Sequence, residues 1–335
     1  MIAIQNITSS PVTGNIYYYA AGETTPTATF PFSLNGYGSI AVDTSASAPD
    51  GPGLTGFSGS TKITASGDIV AAIHGPNYSG QDAVAFEHSL PGNTKLYFPT
   101  ALGGPYSAQL ATFFAIQNVG DSDTNLTATF ADASGTYVTT TVLGPGAKWN
   151  LFPMYPDRVQ TNPTLPEKFS GALTVESDSQ PIAGVSNQKA MNAAGAYGCA
   201  STQHQMMEYT AQGPAASAQN QVVPFVRYST DTNGWTTYIA VQNVDTSPID
   251  VSAYFYNEDG SLLTPAGGGT NPLVFTNVSV GGKASPIWVN AVNDTLSEWS
   301  GSVIIEGTGL MQVAVTNKQV NNCNAASVLG QAFTP

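Results

Sequence analysis

Three histidines, His74, His88 and His204, are the residues that could act as general bases near neutral pH. A catalytic triad also needs a nucleophile and an orienting acid that converge on the base. No Gly-x-Ser-x-Gly elbow is present. His74 ends a predicted strand in AAIHGPN, and the other two histidines fall in predicted linkers. We therefore expect no catalytic residue and no cofactor-binding residue, and we predict that the protein is not an enzyme.

Two kinds of segment contain residues that could bind a metal ion, a Cys/His stretch and two acidic loops. The stretch CASTQH has Cys199 and His204 but lacks the second ligand pair of a zinc site. The loops GDSDTN at 120–125 and NEDGS at 257–261 carry oxygen ligands of the type that calcium prefers, without a full set. Asp and Asn in such loops more often stabilise turns through their own side chains. The sequence therefore predicts no metal site.

The composition limits the classes of partner. Of 335 residues, 41% are hydrophobic and only 9% are charged, and the formal net charge is −13. With nine Lys and Arg, the chain offers no basic patch for nucleic acid or an anionic membrane. No apolar run approaches the roughly 18 residues of a membrane-spanning helix. We expect no nucleic-acid partner, no membrane insertion, and an extracellular or cell-surface location.

Two phrases recur three times in the same order, which indicates an internal repeat. The first phrase, AIQN or AVQN, ends at Asn6, Asn118 and Asn243, at separations of 112 and 125 residues. The second phrase is FSGS, FSGA or WSGS, and it begins at Phe57, Phe169 and Trp299. Alternating apolar and polar residues bounded by Gly, Pro and Asn surround both phrases, as in short antiparallel strands.

The fold class predicted is all-β, with three tandem immunoglobulin-like antiparallel β-sandwich units, the first lacking its leading strand. We interpret AIQN as a central strand in which Ile packs inward and Gln-Asn ends the strand by bonding to turn backbone. The predicted boundaries are repeat 1 at 1–80, a linker at 81–94, repeat 2 at 95–190, a linker at 191–220, repeat 3 at 221–320 and a tail at 321–335.

The three repeats resemble the tandem β-sandwich repeats of long microbial cell-surface and filament proteins. The resemblance covers most of the chain, although its motifs are loose. It implies a structural role at the cell surface and, by similarity to pili, assembly by donor-strand complementation.

The first repeat lacks a segment that the others have. Copies two and three are preceded by a proline-containing strand, KLYFPTAL or QVVPFVRY, whereas the first AIQN begins at residue 3. An unpaired sheet edge attracts another strand. We predict an acceptor edge at Ile2 and Ile4. A donor tail is predicted from another copy, with its plug residues at Val328, Leu329, Ala332 and Phe333. The alternative is that the boundaries cut across a longer tandem array.

Head-to-tail strand addition would make the protein its own partner in a filament. The alternative function is a fragment of a larger surface or S-layer protein with an adhesive, glycan-binding role. Glycans are then the second candidate partner. Exposed aromatics would carry that role, and the candidates are Tyr17, Tyr18, Tyr19, Trp149, Trp235 and Trp288. Most of these aromatics are better interpreted as packing residues.

Two covalent features remain open. Cys199 and Cys323 follow the last strands of successive repeats, so a bond within one chain is disfavoured by distance, while a bond between copies or free thiols are both allowed. Acceptor sequences for N-glycosylation occur at Asn6, Asn77, Asn125, Asn277 and Asn293.

Overall fold

The computed structural model describes residues 2–20, 23–57, 59–76, 83–87, 92–103, 110–153, 165–166, 169–190, 206–211, 213–231, 234–319, 325–329 and 331–332. These residues form 23 β-strands, and the strand pairings are antiparallel. Two short 3-10 turns, Pro214–Ala216 and Val289–Ala291, are the helical elements of this described part. No helix within it is long and apolar enough to cross a membrane. The predicted all-β antiparallel fold is confirmed.

The strands fall into three consecutive groups, here called units 1, 2 and 3. Unit 1 contains β1 (Ile2–Asn6), β2 (Val12–Ala20), β3 (Ala28–Leu34), β4 (Ser39–Val42), β5 (Gly59–Ala65), β6 (Ile69–Pro76) and β7 (Ala83–Glu87). Unit 2 contains β8 (Lys95–Gly103), β9 (Leu110–Asn118), β10 (Thr124–Asp132), β11 (Gly135–Leu143), β12 (Lys148–Leu151), β13 (Phe169–Ser177), β14 (Ile182–Ala190) and β15 (Met206–Thr210). Unit 3 contains β16 (Ala218–Ser229), β17 (Trp235–Asn243), β18 (Ile249–Asn257), β19 (Leu273–Val278), β20 (Lys283–Ile287), β21 (Glu298–Gln319), β22 (Ala325–Leu329) and β23 (Gln331–Ala332).

Each unit has two sheets, which we call sheet I and sheet II. In unit 2, sheet I has the order β11-β10-β13-β8 and sheet II the order β12-β9-β14-β15. Unit 3 repeats this arrangement as β19-β18-β21-β16 and β20-β17-β21-β22, because the long strand β21 takes part in both sheets. In unit 1, sheet II is β4-β1-β6-β7, but sheet I is only β3-β2-β5.

A separate hydrophobic core lies between the two sheets of each unit. The side chains alternate, so that one face of each strand is buried; in β10, for example, Leu126, Ala128 and Phe130 point inward. Unit 2 has an aromatic core in which Phe114 lies 5.0 Å from Phe98 and 6.0 Å from Phe130, measured between ring centroids. The core of unit 3 is mostly aliphatic, and that of unit 1 is built around Ile2, Ile4, Tyr18 and several phenylalanines.

The asparagine of the AIQN phrase fastens the end of the central strand in all three units. Asn118 is fully buried, and its Nδ2 donates to the carbonyl oxygens of Ser122 at 2.8 Å and Leu143 at 2.9 Å. Its Oδ1 accepts from the backbone N–H of Gly120 at 2.9 Å. Asn6 and Asn243 make the equivalent three bonds. Since a buried polar backbone group needs a partner, one side chain here satisfies three of them.

The glycine of the second phrase permits two strands of sheet I to approach closely. A Cβ atom on Gly59, Gly171 or Gly301 would meet a backbone carbonyl of the neighbouring strand and the aromatic ring two residues earlier in the chain. The aromatic residue of the phrase is Phe57, Phe169 or Trp299, and the last two are buried in their cores. The phrase therefore combines a core ring with the glycine that gives this ring its space.

Three sequence predictions about the fold need correction. Strand β1 pairs with β4 on one side and β6 on the other, and Ile2 and Ile4 are 3% and 1% exposed. They are core residues of a central strand, so the predicted acceptor edge at Ile2 and Ile4 is wrong. The two segments assigned to linkers contain the edge strands β7 and β15.

The third correction concerns the tail. Strand β22 pairs with β21, and β23 pairs with β16, so residues 325–329 and 331–332 complete unit 3 of their own chain. In position, β22 corresponds to β7 and β15, the last strands of the earlier units, and β15 contacts both of them. The tail therefore occupies the place of a closing strand and not that of the leading strand of a following unit.

Candidate functional site

The units contact each other through their sheets, with sheet I of one unit facing sheet II of the next. Between units 1 and 2, Ser60 Oγ on β5 donates to the carbonyl oxygen of Gly146 at 2.9 Å. Nearby, Lys62 Nζ donates to the carbonyl oxygen of Val119 at 3.1 Å. The Tyr19 ring packs directly against Gly146, leaving no room there for a side chain.

The contact between units 2 and 3 has the same arrangement. Gln242 Nε2 on β17 donates to the carbonyl oxygen of Leu173 at 3.3 Å and to Thr174 Oγ1 at 3.0 Å. Lys283 Nζ donates to Ser170 Oγ at 3.0 Å. Gly281 packs near Ala131, which occupies the strand position that Tyr19 has in unit 1.

Two lysines occupy equivalent positions at these contacts. Lys148 pairs with Gln117, and Lys283 pairs with Gln242. The Lys283 side chain is partly exposed as a whole, but its ammonium group is buried between the units. Burial lowers its pKa to about 8, and the carboxylate of Asp132 acts in the opposite direction. Burial also lowers the pKa of Lys148.

Equivalent residues of the three sheet II faces differ in exposure from unit to unit. Gln5 is exposed, Gln117 is half-buried, and Gln242 is 0% exposed. The alanines two positions earlier, Ala3, Ala115 and Ala240, follow the same order. Because these local sequences are nearly identical, the difference comes from what covers each face. Sheet II of unit 1 lies under no other described sheet, sheet II of unit 2 lies under a three-stranded sheet, and sheet II of unit 3 lies under a complete four-stranded sheet.

In unit 1 no described strand lies on the far side of β5, and we call this position the open place beside β5. In unit 2 the corresponding strand, β8, pairs with β13 and packs on β17 and β21 of unit 3. Among the described residues, β5 pairs with β2 alone. The inward-facing Thr61 and Ile63 of β5 remain half-exposed, and so do Ala115 and Val185 on the facing sheet of unit 2. The open place is thus bordered by the edge of β5, by the inward side chains of β5, and by the facing sheet of unit 2, and the side chains on both surfaces are partly exposed.

A groove at one end of unit 3 gathers aromatic and charged side chains. The Arg227 guanidinium lies 5.0 Å from the ring centroid of Phe225 and 4.8 Å from that of Trp235, which places the cation between two rings. Asp231 and Glu298 border the same groove of about 470 Å³. The Phe225 ring is 53% exposed.

The other aromatic candidates are mainly packing residues. Tyr18 and Trp149 lie in hydrophobic cores, and Tyr19 packs between units 1 and 2. Tyr17 is half-buried on the outer face of β2, opposite in direction to Tyr18. Trp288 stacks on Tyr238 with ring centroids 5.5 Å apart.

The sequence candidates for glycosylation divide into two groups. Asn6 and Asn293 are 0% and 8% exposed, and each binds backbone carbonyls through Nδ2 and a threonine through Oδ1. Their Asn-x-Thr patterns are turn motifs, so the prediction of glycosylation at these two residues is wrong for the folded chain. Asn125 and Asn277 are exposed, and Asn77 lies outside the described residues.

The remaining candidates give no reactive cluster. Asp259 accepts hydrogen bonds from the N–H and Oγ of Ser261, which is the turn role expected of that loop. Within the described ranges, no three His, Cys, Asp or Glu side chains come together in a way that could hold a metal ion. The two cysteines, His88, His204 and Phe333 lie outside the described residues, as do the side chains of His74, Val328, Leu329 and Ala332.

Comparison with known proteins gives little further information. No family model matches the chain, and no curated protein matches it. Among solved structures, the crystal structure of PBSX exported protein XepA shares 10% identity over 72% of this chain and 93% of that chain, with a TM-score of 0.16. A likeness at that TM-score carries no argument about this chain.

The sequence did not identify the contact role of Gln242 and Lys283. It did predict hydrogen bonding of the Gln-Asn pair to turn backbone, which is confirmed for the asparagines and for Gln117, whose Nε2 donates to the carbonyl oxygen of Gly146 at 3.2 Å. The available signal was the return of the same glutamine on the face opposite to the core in all three units.

Proposed function

We propose that this protein is a non-enzymatic structural subunit of an extracellular filament, in which copies join head to tail by strand addition to unit 1. The open place beside β5 carries this proposal. A free edge presents unpaired backbone groups, and here it adjoins half-exposed Thr61 and Ile63, which a further strand would cover. The low charge and the high content of small polar residues support an extracellular location.

The donor in this proposal is the C-terminal segment of another copy, with Val328, Leu329, Ala332 and Phe333. Because residues 325–329 pair with β21 of their own chain, donation requires them to leave β21 and pair with β5 of the neighbour. Such an exchange resembles domain swapping, since the segment has partners in both states. The filament therefore forms only if pairing of the tail with β5 of the neighbouring copy, together with packing on the surfaces beside β5, is more favourable than pairing of the tail with β21 of its own chain.

Replacing Thr61 by lysine tests the acceptor. The Thr61 side chain points toward the core beside Tyr18 but is half-exposed, and no described strand pairs with β5 on that side. A lysine there is tolerated in the free subunit and becomes a buried, unpaired charge once a strand is added. We expect fibres of the unaltered chain in negative-stain electron microscopy and none for T61K. The control Thr64→Lys, on an exposed position of the same strand, should still form fibres.

The donor is tested by deleting the chain from Ser327 onward. Fibres that persist after the deletion would rule out the tail as donor, and fibres that persist in T61K would rule out strand addition at β5. Thermal unfolding of each variant shows whether unit 3 still folds without part of β22.

The groove of unit 3 favours a second candidate function, which is glycan binding by a surface adhesin. Sugars bind to flat aromatic faces next to hydrogen-bonding carboxylates, and Trp235, Phe225, Asp231 and Glu298 provide both. We expect Trp235→Ala to abolish binding to oligosaccharides on a glycan array, with Trp288→Ala of the same unit as the unaffected control. If the unaltered chain binds no glycan, or if both variants bind equally, the groove is not a glycan site.

A further inference from the structure

The two end faces of the chain correspond to surfaces that are covered inside it. Within the described ranges, no sheet lies over sheet II of unit 1, whereas the sheet II faces of units 2 and 3 each lie under sheet I of a neighbouring unit. No described sheet lies over sheet I of unit 3 either, whereas the sheet I faces of units 1 and 2 lie against sheet II of a neighbouring unit. Sheet II of unit 1 and sheet I of unit 3 are therefore the same two kinds of surface that pack together between units 1 and 2 and between units 2 and 3.

Burial on the sheet I side shows the same difference. Ala131 and Ala172 face each other across strands β10 and β13 and are 1% and 0% exposed where unit 3 covers them. Tyr256 and Ser302 occupy the equivalent pair of positions in unit 3 and remain half-exposed. The equivalent pair in unit 1, Tyr19 and Ser60, has the same residue types as the pair in unit 3, and Tyr19 is only 9% exposed where unit 2 covers it.

The described central parts of the two faces carry no charged side chain. The outward residues described on β1, β4 and β6 include Ala3, Gln5, Ser39, Ala41 and Val70, none of which is charged. On the other face, the central outward residues of β18 and β21 are Ser252, Tyr254, Tyr256, Ser302 and Ile304, with the exposed carboxylates of Asp250 and Glu306 toward one end. In a chain of net charge −13, such uncharged central parts are where two copies can approach with the least repulsion.

We propose that sheet I of unit 3 packs on sheet II of unit 1 of a second copy, in the register of the two internal contacts. The occupant of each free face is thus another copy of this chain. In that register the amide of Gln5 takes the place of Gln242 and donates to the carbonyl oxygen of Val303, the equivalent of Leu173. This inference rests on the proposed self-assembly but needs no strand exchange, because it uses faces and not edges.

The position of Ser39 allows a gain of affinity to be designed. Ser39 pairs with Gln5 as Lys283 pairs with Gln242, and Lys283 donates to Ser170 of the preceding unit. The residue equivalent to Ser170 is Ser300, whose hydroxyl bonds to the carboxylate of Glu258. A lysine at position 39 would therefore meet a serine and a carboxylate on the second copy.

Self-association measured by sedimentation velocity tests the inference. Gln5→Glu places a carboxylate against a carbonyl in the buried contact and should weaken association at least about tenfold. Thr29→Glu adds the same charge to an exposed position on β3 and should leave it unchanged. Ser39→Lys should tighten association by about two- to fivefold, as expected of one exposed ion pair.

The outcomes separate this inference from strand addition. Equal association of Q5E and T29E, or no association of the unaltered chain, overturns the face contact. If T61K assembles normally while Q5E does not, the face contact stands and strand addition fails. If Q5E assembles normally while T61K does not, strand addition stands and the face contact fails.

Discussion

Replacing Asn243 by alanine should lower the free energy of unfolding of unit 3 by about 3–5 kcal/mol. The Asn243 side chain is 0% exposed, and its Nδ2 donates to the carbonyl oxygens of Ser247 at 2.9 Å and Val278 at 2.8 Å. Its Oδ1 accepts from the N–H of Asp245 at 2.9 Å. Alanine removes all of these bonds and leaves backbone groups without partners where water has little access, which costs about 1–3 kcal/mol for each buried group.

Urea unfolding followed by tryptophan fluorescence measures this effect, since Trp288 and Trp299 report on unit 3. The control is Gln5→Ala, which replaces the exposed glutamine that precedes the asparagine in the first AIQN phrase. This change should alter the free energy of unfolding by less than about 0.5 kcal/mol. If the free energy of unfolding of N243A falls by less than about 1 kcal/mol, the hydrogen bonds of the asparagine do not stabilise the turn. The comparison must be made under dilute conditions, where the copies are separate.

Replacing Gly301 by alanine should destabilise unit 3 by about 3 kcal/mol. A Cβ atom at this position would overlap the carbonyl oxygen of Tyr256 on the paired strand and the ring of Trp299. The carbonyl belongs to backbone that cannot rotate away, so β18 and β21 have to separate or the Trp299 ring has to leave its packed position. An ordinary Gly→Ala change stabilises a chain by reducing the entropy of the unfolded state, and the predicted sign here is the opposite.

The same unfolding measurement applies, with Ser300→Ala as its control. Ser300 is the adjacent residue and is half-exposed, and its hydroxyl bonds to the exposed Glu258 carboxylate, so its removal should have a small effect. Stability of G301A equal to that of the unaltered chain would mean that the two strands have room for a methyl group. In that case the glycine of the second phrase would have no packing role.

The sequence predicted the central strands well because their signal is local. AIQN alternates core and outward residues and ends in an asparagine that bonds within a few residues, so its role follows from a short stretch of chain. Strands β1, β9 and β17 are all central, and Ile4 and Ile116 are buried. The prediction that unit 1 has one strand fewer is also in agreement with the three-stranded sheet of that unit.

Edge strands and the tail were harder to predict for a physical reason. Strands β7 and β15 are only five residues long, AVAFE and MMEYT, and so short a run does not show enough alternation to be separated from a linker. The tail was predicted to serve another copy as its leading strand, whereas its pairing with β21 gives it the position of a closing strand. Short apolar segments of both kinds occur between successive repeats, and periodicity alone does not separate them.

The surfaces at which neighbouring units contact each other could not be predicted from the sequence. Gln5, Gln117 and Gln242 stand in nearly the same local sequence, yet their exposure ranges from open to fully buried. Exposure at these positions depends on the unit lying above each face, which is a property of the tandem arrangement. The arrangement of the three units in space, and not the local sequence, therefore determines which of these faces is exposed.

The continuous strand β21, Glu298–Gln319, has a mechanical consequence. In unit 2 the corresponding strands β13 and β14 are joined by a turn, so a pull on one sheet can be absorbed there before the other sheet is loaded. In unit 3 the same run of backbone is hydrogen-bonded in both sheets. Tension applied to either sheet is transmitted directly to the other, so unit 3 should rupture as a single event, whereas unit 2 can yield in two steps under an extending force.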